Sequence, residues 1–399
     1  MNIIWLTSET PYPPNTGGRM VMYKHIEYMA KLHSIYLFCI ADIDADLQVG
    51  KNMEKICKEV HLYKRCRNNF QIVYNLLIGP YICSSRWKRQ MRKDILQCIE
   101  KNDIAVVIVE FPQMLGNLSA SVRRRIPIVL NQHNTEYLAL RNISRIHGNF
   151  FKRWMGWIDS YRMEILENLY YKKKFINLYT FVSIEDKQTF ERKYPYYRTF
   201  LLPIGTETEF LSTEKHDGFN IMYIGKMEYL PNTEAAEWFA EKVFALLPVG
   251  QDYNYYIVGK NPLKSTRSLE KRFEGVHVTG TVNSMKEYYQ KADLIVVPLF
   301  HGGGVKVKLI EALGYGKIVL TTSKGVEGTD FKKGEDLLVA ESREDFIRLC
   351  KDIRKCPEKY ALIKKTGFDK VVSEYSWQII MEHFNQEIDL LNAKYRNQA

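Results

Sequence analysis

Short apolar runs recur along the chain, separated by segments of helical period. In the first half Asn2 to Thr7, Ser34 to Ala41, Ile104 to Val109, Ile126 to Leu130 and Tyr179 to Ser183 read as buried strands. The second half repeats the pattern with a run opening at Asn220, then Tyr255 to Val258, Val276 to Gly280, Leu294 to Leu299 and Ile318 to Thr322. Near-continuous apolar runs of this kind belong to strands covered on both faces, as in a parallel sheet. Helical periodicity marks Met20 to Leu32, Asn149 to Lys174 and Trp377 to Lys394. In the second of these, Trp154, Trp157, Ile158, Tyr161, Ile165 and Leu169 form a stripe expected mostly to face the core; in the third, Ile379, Ile380, Phe384, Ile388 and Leu391 share a face. Alternating strand and helix predicts an α/β chain. Leu201 to Phe219 turns from apolar to polar and carries Pro203, Gly205 and Gly218, which suits a hinge. The expected division is a first domain at 1–200, a hinge at 201–219, a second α/β domain at 220–375 and a final helix at 376–399.

The stretch from Leu294 to Thr322 is the densest in candidate chemistry. A strand runs into Gly302, Gly303 and Gly304, and a helix-period segment follows in which Val305, Leu309, Ala312 and Leu313 share a face. Gly314 and Gly316 are placed to stop that helix. Glycines let backbone approach a ligand closely, and a helix N-terminus offers N–H groups and a positive dipole end to an anion. Lys306 and Lys308 add charge at the same end, where basic side chains oppose the dipole until an anion relieves them. Glu311 lies about two turns on and could meet a ligand running along the helix. The combination favours a phosphate site over a plain glycine-rich loop with solvated lysines.

Length, charge and cysteine usage narrow the function classes. A chain of 399 residues can bury two cores. No apolar run approaches the roughly 18 residues of a membrane span, and the opening residues lack the basic region of a secretory leader. Seven scattered cysteines without a CxxC pair suggest reduced thiols in the cytosol and no zinc site. The formal charge of +11 is lopsided: residues 1–200 hold 30 Lys and Arg against 18 Asp and Glu, and residues 201–399 hold 27 against 28. The first half therefore calls for an anionic partner, such as a membrane surface, a phosphorylated acceptor or a nucleic acid. A nucleic acid is not expected, because the basic clusters match no recognisable binding module.

Between residues 61 and 93, bases including Lys64, Arg86, Arg89 and Arg92 interleave with Phe70, Tyr74, Leu77, Tyr81 and Trp87. The mixture suits a lipid-headgroup interface and, equally, a solvated helix face over a core. Gly17 and Gly18 sit at a strand-to-helix turn, where N–H groups could face an anion. Asp42, Asp44 and Asp46 could hold a metal on a diphosphate, but acidic residues after a strand are more often ordinary loop, and lysines can neutralise a diphosphate without metal. His133 lies at the C-terminal end of a strand, where open α/β sheets bind ligands, and Glu136 is close enough to belong to the same site.

The motif GGG-x-K-x-K-x-x-EAL-x-x-G-K-x-V, from Gly302 to Val319, resembles the donor-site signature of retaining glycosyltransferases of family 4. That family has the GT-B fold: two Rossmann-like α/β domains face each other across a cleft, with a C-terminal helix that crosses back to the first. Its signature holds two glutamates. The second, which contacts the ribose of a nucleotide-sugar, matches Glu311; the first, which contacts the donor sugar, falls on Gly303. The chain is similar to a subgroup with a glycine run and a lysine pair there, so backbone N–H groups would take over sugar contacts. The resemblance also covers Gly17 and Gly18 near donor and acceptor, His133 against the donor sugar, Lys226 at the diphosphate, and Gly280 with Val282 near the base. The family's second base after Lys226 is absent, since Leu230-Pro231-Asn232 stands in its place. Lys306 and Lys308 would then supply the charge.

The resemblance implies a transferase moving a sugar from a nucleotide-sugar to a glycan or lipid-linked acceptor, with retention, in cell-surface polysaccharide biosynthesis. His133, Lys226 and Lys308 would be catalytic. Gly17, Gly18, Glu136, Gly280, Val282, Gly302, Gly303, Gly304, Val305, Lys306 and Glu311 would contact substrates, with no metal or other cofactor. Its place would be cytoplasmic, against the inner face of a membrane. Two alternatives stand: a non-catalytic member that stabilises a partner transferase, left open by the missing glutamate, and a nucleic-acid-binding protein using the basic first half.

Overall fold

The computed structural model describes residues 1–42, 44–65, 69–146, 150–248, 253–301 and 304–397. The chain divides into two compact units: Met1–Pro203 with Ile380–Ala399, and Ile204–Ile379. Each is built on one parallel sheet.

In the first unit the strands are β1 (Asn2–Thr7), β2 (Ser34–Ala41), β3 (Glu59–Lys64), β4 (Ile104–Glu110), β5 (Ile128–Gln132), β6 (Leu178–Phe181) and β7 (Thr199–Leu201). They form a seven-stranded sheet in the order β3-β2-β1-β4-β5-β6-β7. Successive residues of β1 serve opposite faces, as a pleated strand requires. Ile4 and Leu6 join one core with Phe38, Val107 and Leu130, and Ile3 and Trp5 join the other with Leu37 and Ile108. The helices that matter here are α1 (Gly17–Met29), α2 (Asp44–Gly50), α3 (Asn69–Ile78), α4 (Tyr81–Ser84), α5 (Glu136–Ile146) and α6 (Phe150–Lys172).

The second unit holds β8 (Phe219–Ile224), β9 (Tyr253–Val258), β10 (Val276–Gly280), β11 (Leu294–Val297), β12 (Ile318–Thr321) and β13 (Leu338–Val339), in the order β10-β9-β8-β11-β12-β13. Two of its helices are α7 (Leu230–Lys242) and α8 (Val307–Gly314). The last helix of the chain, α9 (Trp377–Arg396), returns to the first unit, where Ile380, Met381, Phe384, Ile388 and Leu391 are buried with Ile3 and Trp5.

Four expectations need correction. Helix α1 starts at Gly17 rather than Met20, because Thr16 caps it by accepting from the Arg19 N–H at 3.3 Å. The acidic stretch after β2 forms helix α2 from Asp44 instead of a loop. From Ile204 onward the expected hinge is tied to the second unit: Glu209 N donates to Gly314 O, and Leu211 N to Tyr315 O. The aromatic stripe of α6 is not core. Trp154, Trp157 and Tyr161 are each more than half exposed, while Met163, Tyr170 and Tyr171 of the same helix are buried.

Candidate active site

In both sheets the strand order reverses between adjacent strands, at β1 and β4 in the first unit and at β8 and β11 in the second. Connections leave such a pair toward opposite faces, so a crevice opens beyond the C-terminal ends, and open α/β sheets take ligands there. Each reversal point carries a buried polar cluster.

In the second unit the cluster centres on Lys308, at the second residue of α8. Its ammonium donates to the Tyr223 hydroxyl at 2.8 Å and to Asn232 Oδ1 at 2.7 Å, and it lies 4.4 Å from the centre of the Tyr223 ring. Tyr223 is on β8, and its hydroxyl also donates to Asn232 Oδ1, at 3.0 Å. Asn232 is fixed in turn by donating from Nδ2 to the Lys226 carbonyl at 2.9 Å. Neither acceptor of Lys308 carries a charge. Burial, and then the neighbouring charge of Lys306, push the Lys308 pKa down to about 7.

Around this point the chain is shaped by glycine. A Cβ on Gly225 would stand 2.8 Å from the Lys308 ammonium, and one on Gly259, whose φ is +152°, would stand 1.7 Å from the Gly225 carbonyl oxygen. The turns after β8 and β9 can therefore touch only as bare backbone. Lys306 precedes α8 and is almost fully buried, with its ammonium on the Gly304 carbonyl. Gly304 has φ +76° and open space where a Cβ would project. Val305, expected on the helix face, stands ahead of the helix and packs on the core. Gly302 and Gly303 lie outside the described residues.

The other residues expected on the donor side are Glu311, Gly280, Val282 and Lys226. Glu311, half-buried on α8, has its carboxyl pushed up by burial, with the Tyr289 hydroxyl opposing. Gly280 ends β10 with φ +70° in open space, and Val282 is partly buried against the core. The Lys226 ammonium is about half exposed and pairs with Glu228, so it reaches the cluster through its carbonyl.

In the first unit the cluster centres on Glu110, the last residue of β4, which is fully buried. It accepts from Trp5 Nε1 and Asn131 Nδ2, each at 3.0 Å, and meets His133 Nε2 at 2.6 Å and His25 Nδ1 at 3.4 Å. Burial alone would raise this carboxyl; the imidazole of His133, and then that of His25, outweigh it and hold the group below the ordinary carboxylate range. Phe111 stacks on His133 with ring centres 4.3 Å apart and keeps a φ of +72°, a strained conformation for an aromatic residue. Glu136 opens α5 and is buried, which raises its pKa to about 7 against the pull of His133 and Arg86. Arg86 donates to the Ser8 carbonyl, just beyond β1. Gly17 and Gly18 form the first turn of α1, with nothing within 4 Å of a Cβ on Gly17.

Two of the aspartates after β2 are engaged elsewhere, and the side chain of Asp44 lies outside the described ones. Asp46 is a bidentate partner of Arg19, at 3.1 and 3.2 Å, and Asp42 meets Arg65 at 3.3 Å. Nothing in the sequence singled out Glu110. Its partners Trp5, His25 and Asn131 come from three other elements, and only an acid at the end of an apolar strand marks the position.

Residues 218–355 match the family model described as glycosyl transferases group 1. Over 383 residues the chain is 22% identical to an uncharacterized 44.6 kDa protein in the cps region of Klebsiella pneumoniae, covering 92% of this chain and 94% of that one. Among solved structures it resembles Anabaena Alr3699/HepE in complex with UDP, with TM-score 0.67, 13% identity, and 98% and 100% of the two chains covered. Sucrose-phosphate synthase from Thermosynechococcus elongatus gives 0.66 at 13% identity, over 99% and 100%. WaaG, a glycosyltransferase involved in lipopolysaccharide biosynthesis, gives 0.62 at 13% identity, over 98% and 99%. The fold is GT-B, with two parallel α/β sheets.

Proposed function

We propose that the chain transfers a sugar from a nucleotide-sugar, held in the second unit, to a glycan or lipid-linked acceptor, with retention of configuration. The observation that carries this reading is Lys308: a buried ammonium at a helix N-terminus whose acceptors are both neutral. A buried cation of this kind is costly until an anion joins it. A nucleoside diphosphate supplies that anion at the strand reversal, where open α/β sheets take ligands. In transfer, negative charge grows on the departing diphosphate, and Lys308, Lys306 and the N–H groups opening α8 stabilise it. These groups supply the neutralisation without a metal. Glu311 takes the ribose hydroxyls. In the first unit, Glu110 holds the His133 ring for a sugar hydroxyl. Polysaccharide assembly is the setting suggested by the cps-region relative and by WaaG.

The test is a melting screen of UDP, GDP and ADP in EDTA, with UDP placed first because HepE was solved with it. One of the three should raise the melting temperature of the second unit, since a ligand of the folded state stabilises it. Lys308→Met should lose the shift. No shift with any of them would remove the donor site. A shift without donor hydrolysis or transfer would leave a binding-only member of the fold.

A further inference from the structure

Helices α3 and α6 turn their apolar faces to solvent. On α3, Phe70, Val73, Tyr74 and Leu77 recur at the spacing of one helix face, and all four are exposed, Phe70 to 83% and Leu77 to 78%. On α6 the exposed apolar side chains are Phe150, Trp154, Trp157, Tyr161, Ile165 and Leu169. They follow one another at intervals of three or four residues, a stripe about 28 Å long at 1.5 Å per residue. The two helices are linked through α4. Directly after Leu77 and Ile78 the chain enters Gly79-Pro80, and the Tyr81 N–H then donates to Asp159 of α6 at 2.8 Å.

The exposed charges beside these stripes are basic: among the described side chains of α6 they are Lys152, Arg153 and Lys172, while the half-buried acids Asp159 and Glu164 are engaged by the Tyr81 N–H and by Arg141. No Asp or Glu occurs anywhere between Val60 and Lys93, a stretch with eight Lys and Arg. An apolar face this large on an isolated chain marks an interaction surface. The partner must be apolar and anionic at once. A second copy meeting the same face would set these bases against their own counterparts.

We infer that α3 and α6 form the face by which the first unit lies on an anionic lipid bilayer. Leu77, Ile165 and the indoles enter the headgroup–acyl boundary, and the flanking bases meet lipid phosphates. Among the described residues no helix is long and apolar enough to cross a membrane, so the association is interfacial. It brings a lipid-linked acceptor within the enzyme's reach, which deepens the acceptor side of the proposed function without depending on the donor chemistry.

The experiment is co-flotation with vesicles of phosphatidylglycerol and phosphatidylcholine, beside vesicles of phosphatidylcholine alone, at low and high salt. The protein should float with the anionic vesicles and less so as salt rises. The double variant Leu77→Asp/Ile165→Asp should lower partitioning roughly tenfold or more, because apolar burial holds an interfacial helix in place. Brominated acyl chains should quench tryptophan fluorescence, and less so in Trp157→Phe. Each variant is first checked for an unchanged melting temperature and an unchanged shift with UDP, so loss of flotation is separated from loss of fold or donor site. Absence of flotation, equal flotation with neutral vesicles, or a dimer that the double variant splits would each overturn the inference.

Discussion

At the scale of single residues, the two buried clusters answer pH with the same sign but in different windows. Lys308 has a folded pKa near 7, below its ordinary value of 10.5. Between those values the unfolded chain binds more protons than the folded one, so this group makes stability rise with pH across that window. A bound diphosphate would restore the charge. Nucleotide binding at pH 8 should therefore take up a fraction of a proton, visible in calorimetry as a binding heat that changes with the buffer's ionisation heat. Lys308→Met should abolish that dependence, and a buffer-independent heat in the wild-type protein would place the anion elsewhere. Glu110 shifts in the same direction, but because its charge is stabilised rather than penalised. Its folded pKa is depressed, so its contribution is present above its unfolded value of about 4.3 and lost as pH falls through the folded one. Glu110→Gln should cost about 1–3 kcal/mol at pH 7, the scale of a charged hydrogen bond lost in a buried site. The gap to wild type should narrow as pH falls below about 4 in urea titrations.

At the scale of elements, the chain displays its central strands and conceals its edges. Strands β1, β2, β4 and β11 are nearly unbroken apolar runs because helices cover both sides of them. Strand β3 is only half-buried, β7 has three residues and β13 has two, so none of the three stood out. The α6 stripe was visible in the sequence but assigned to the wrong side. Helical periodicity reveals a one-sided apolar face, yet a core and an interface produce the same pattern. The glycine and lysine turn before α8 was legible because its residues are adjacent in sequence, whereas the Glu110 cluster gathers residues over a hundred positions apart. The glycines around Lys308 also differ in kind. Gly259→Ala would drive a Cβ into the Gly225 carbonyl, so it should destabilise the second unit by about 3 kcal/mol or more, from overpacking and backbone strain together. Gly304→Ala meets no atom within 4 Å and should cost only about 1–2 kcal/mol, from its positive φ. Denaturation of the two variants side by side checks the difference; equal losses would mean that the close approach of the two turns is not needed.

At the scale of the whole molecule, the chain's last helix belongs to the unit formed by its first residues. Ile380, Phe384, Ile388 and Leu391 are buried against the face of the sheet that also holds Ile3 and Trp5. The Met1 ammonium and the His33 ring meet at 3.2 Å, and Arg198 pairs with Glu387 of α9 at 2.6 Å. The first unit is thus complete only after the second has been synthesised, so its stability is tied to the end of the chain. Phe384 tests this. It is fully buried and lies 6.2 Å, ring centre to ring centre, from Phe200. Truncating a core phenylalanine to alanine costs about 3–5 kcal/mol through lost transfer energy and the cavity left behind. Phe384→Ala should therefore lower the unfolding transition of the first unit by that amount. The second unit, whose core contains no part of α9 beyond Ile379, should unfold as in wild type. Tryptophan fluorescence can follow both transitions, because Trp5 reports on the first core and Trp238 on the second. Nucleotide protection should persist in the second transition while the first moves. A parallel fall of both transitions would show that α9 stabilises the two units as one cooperative body, and a fall of neither would detach it from the first core.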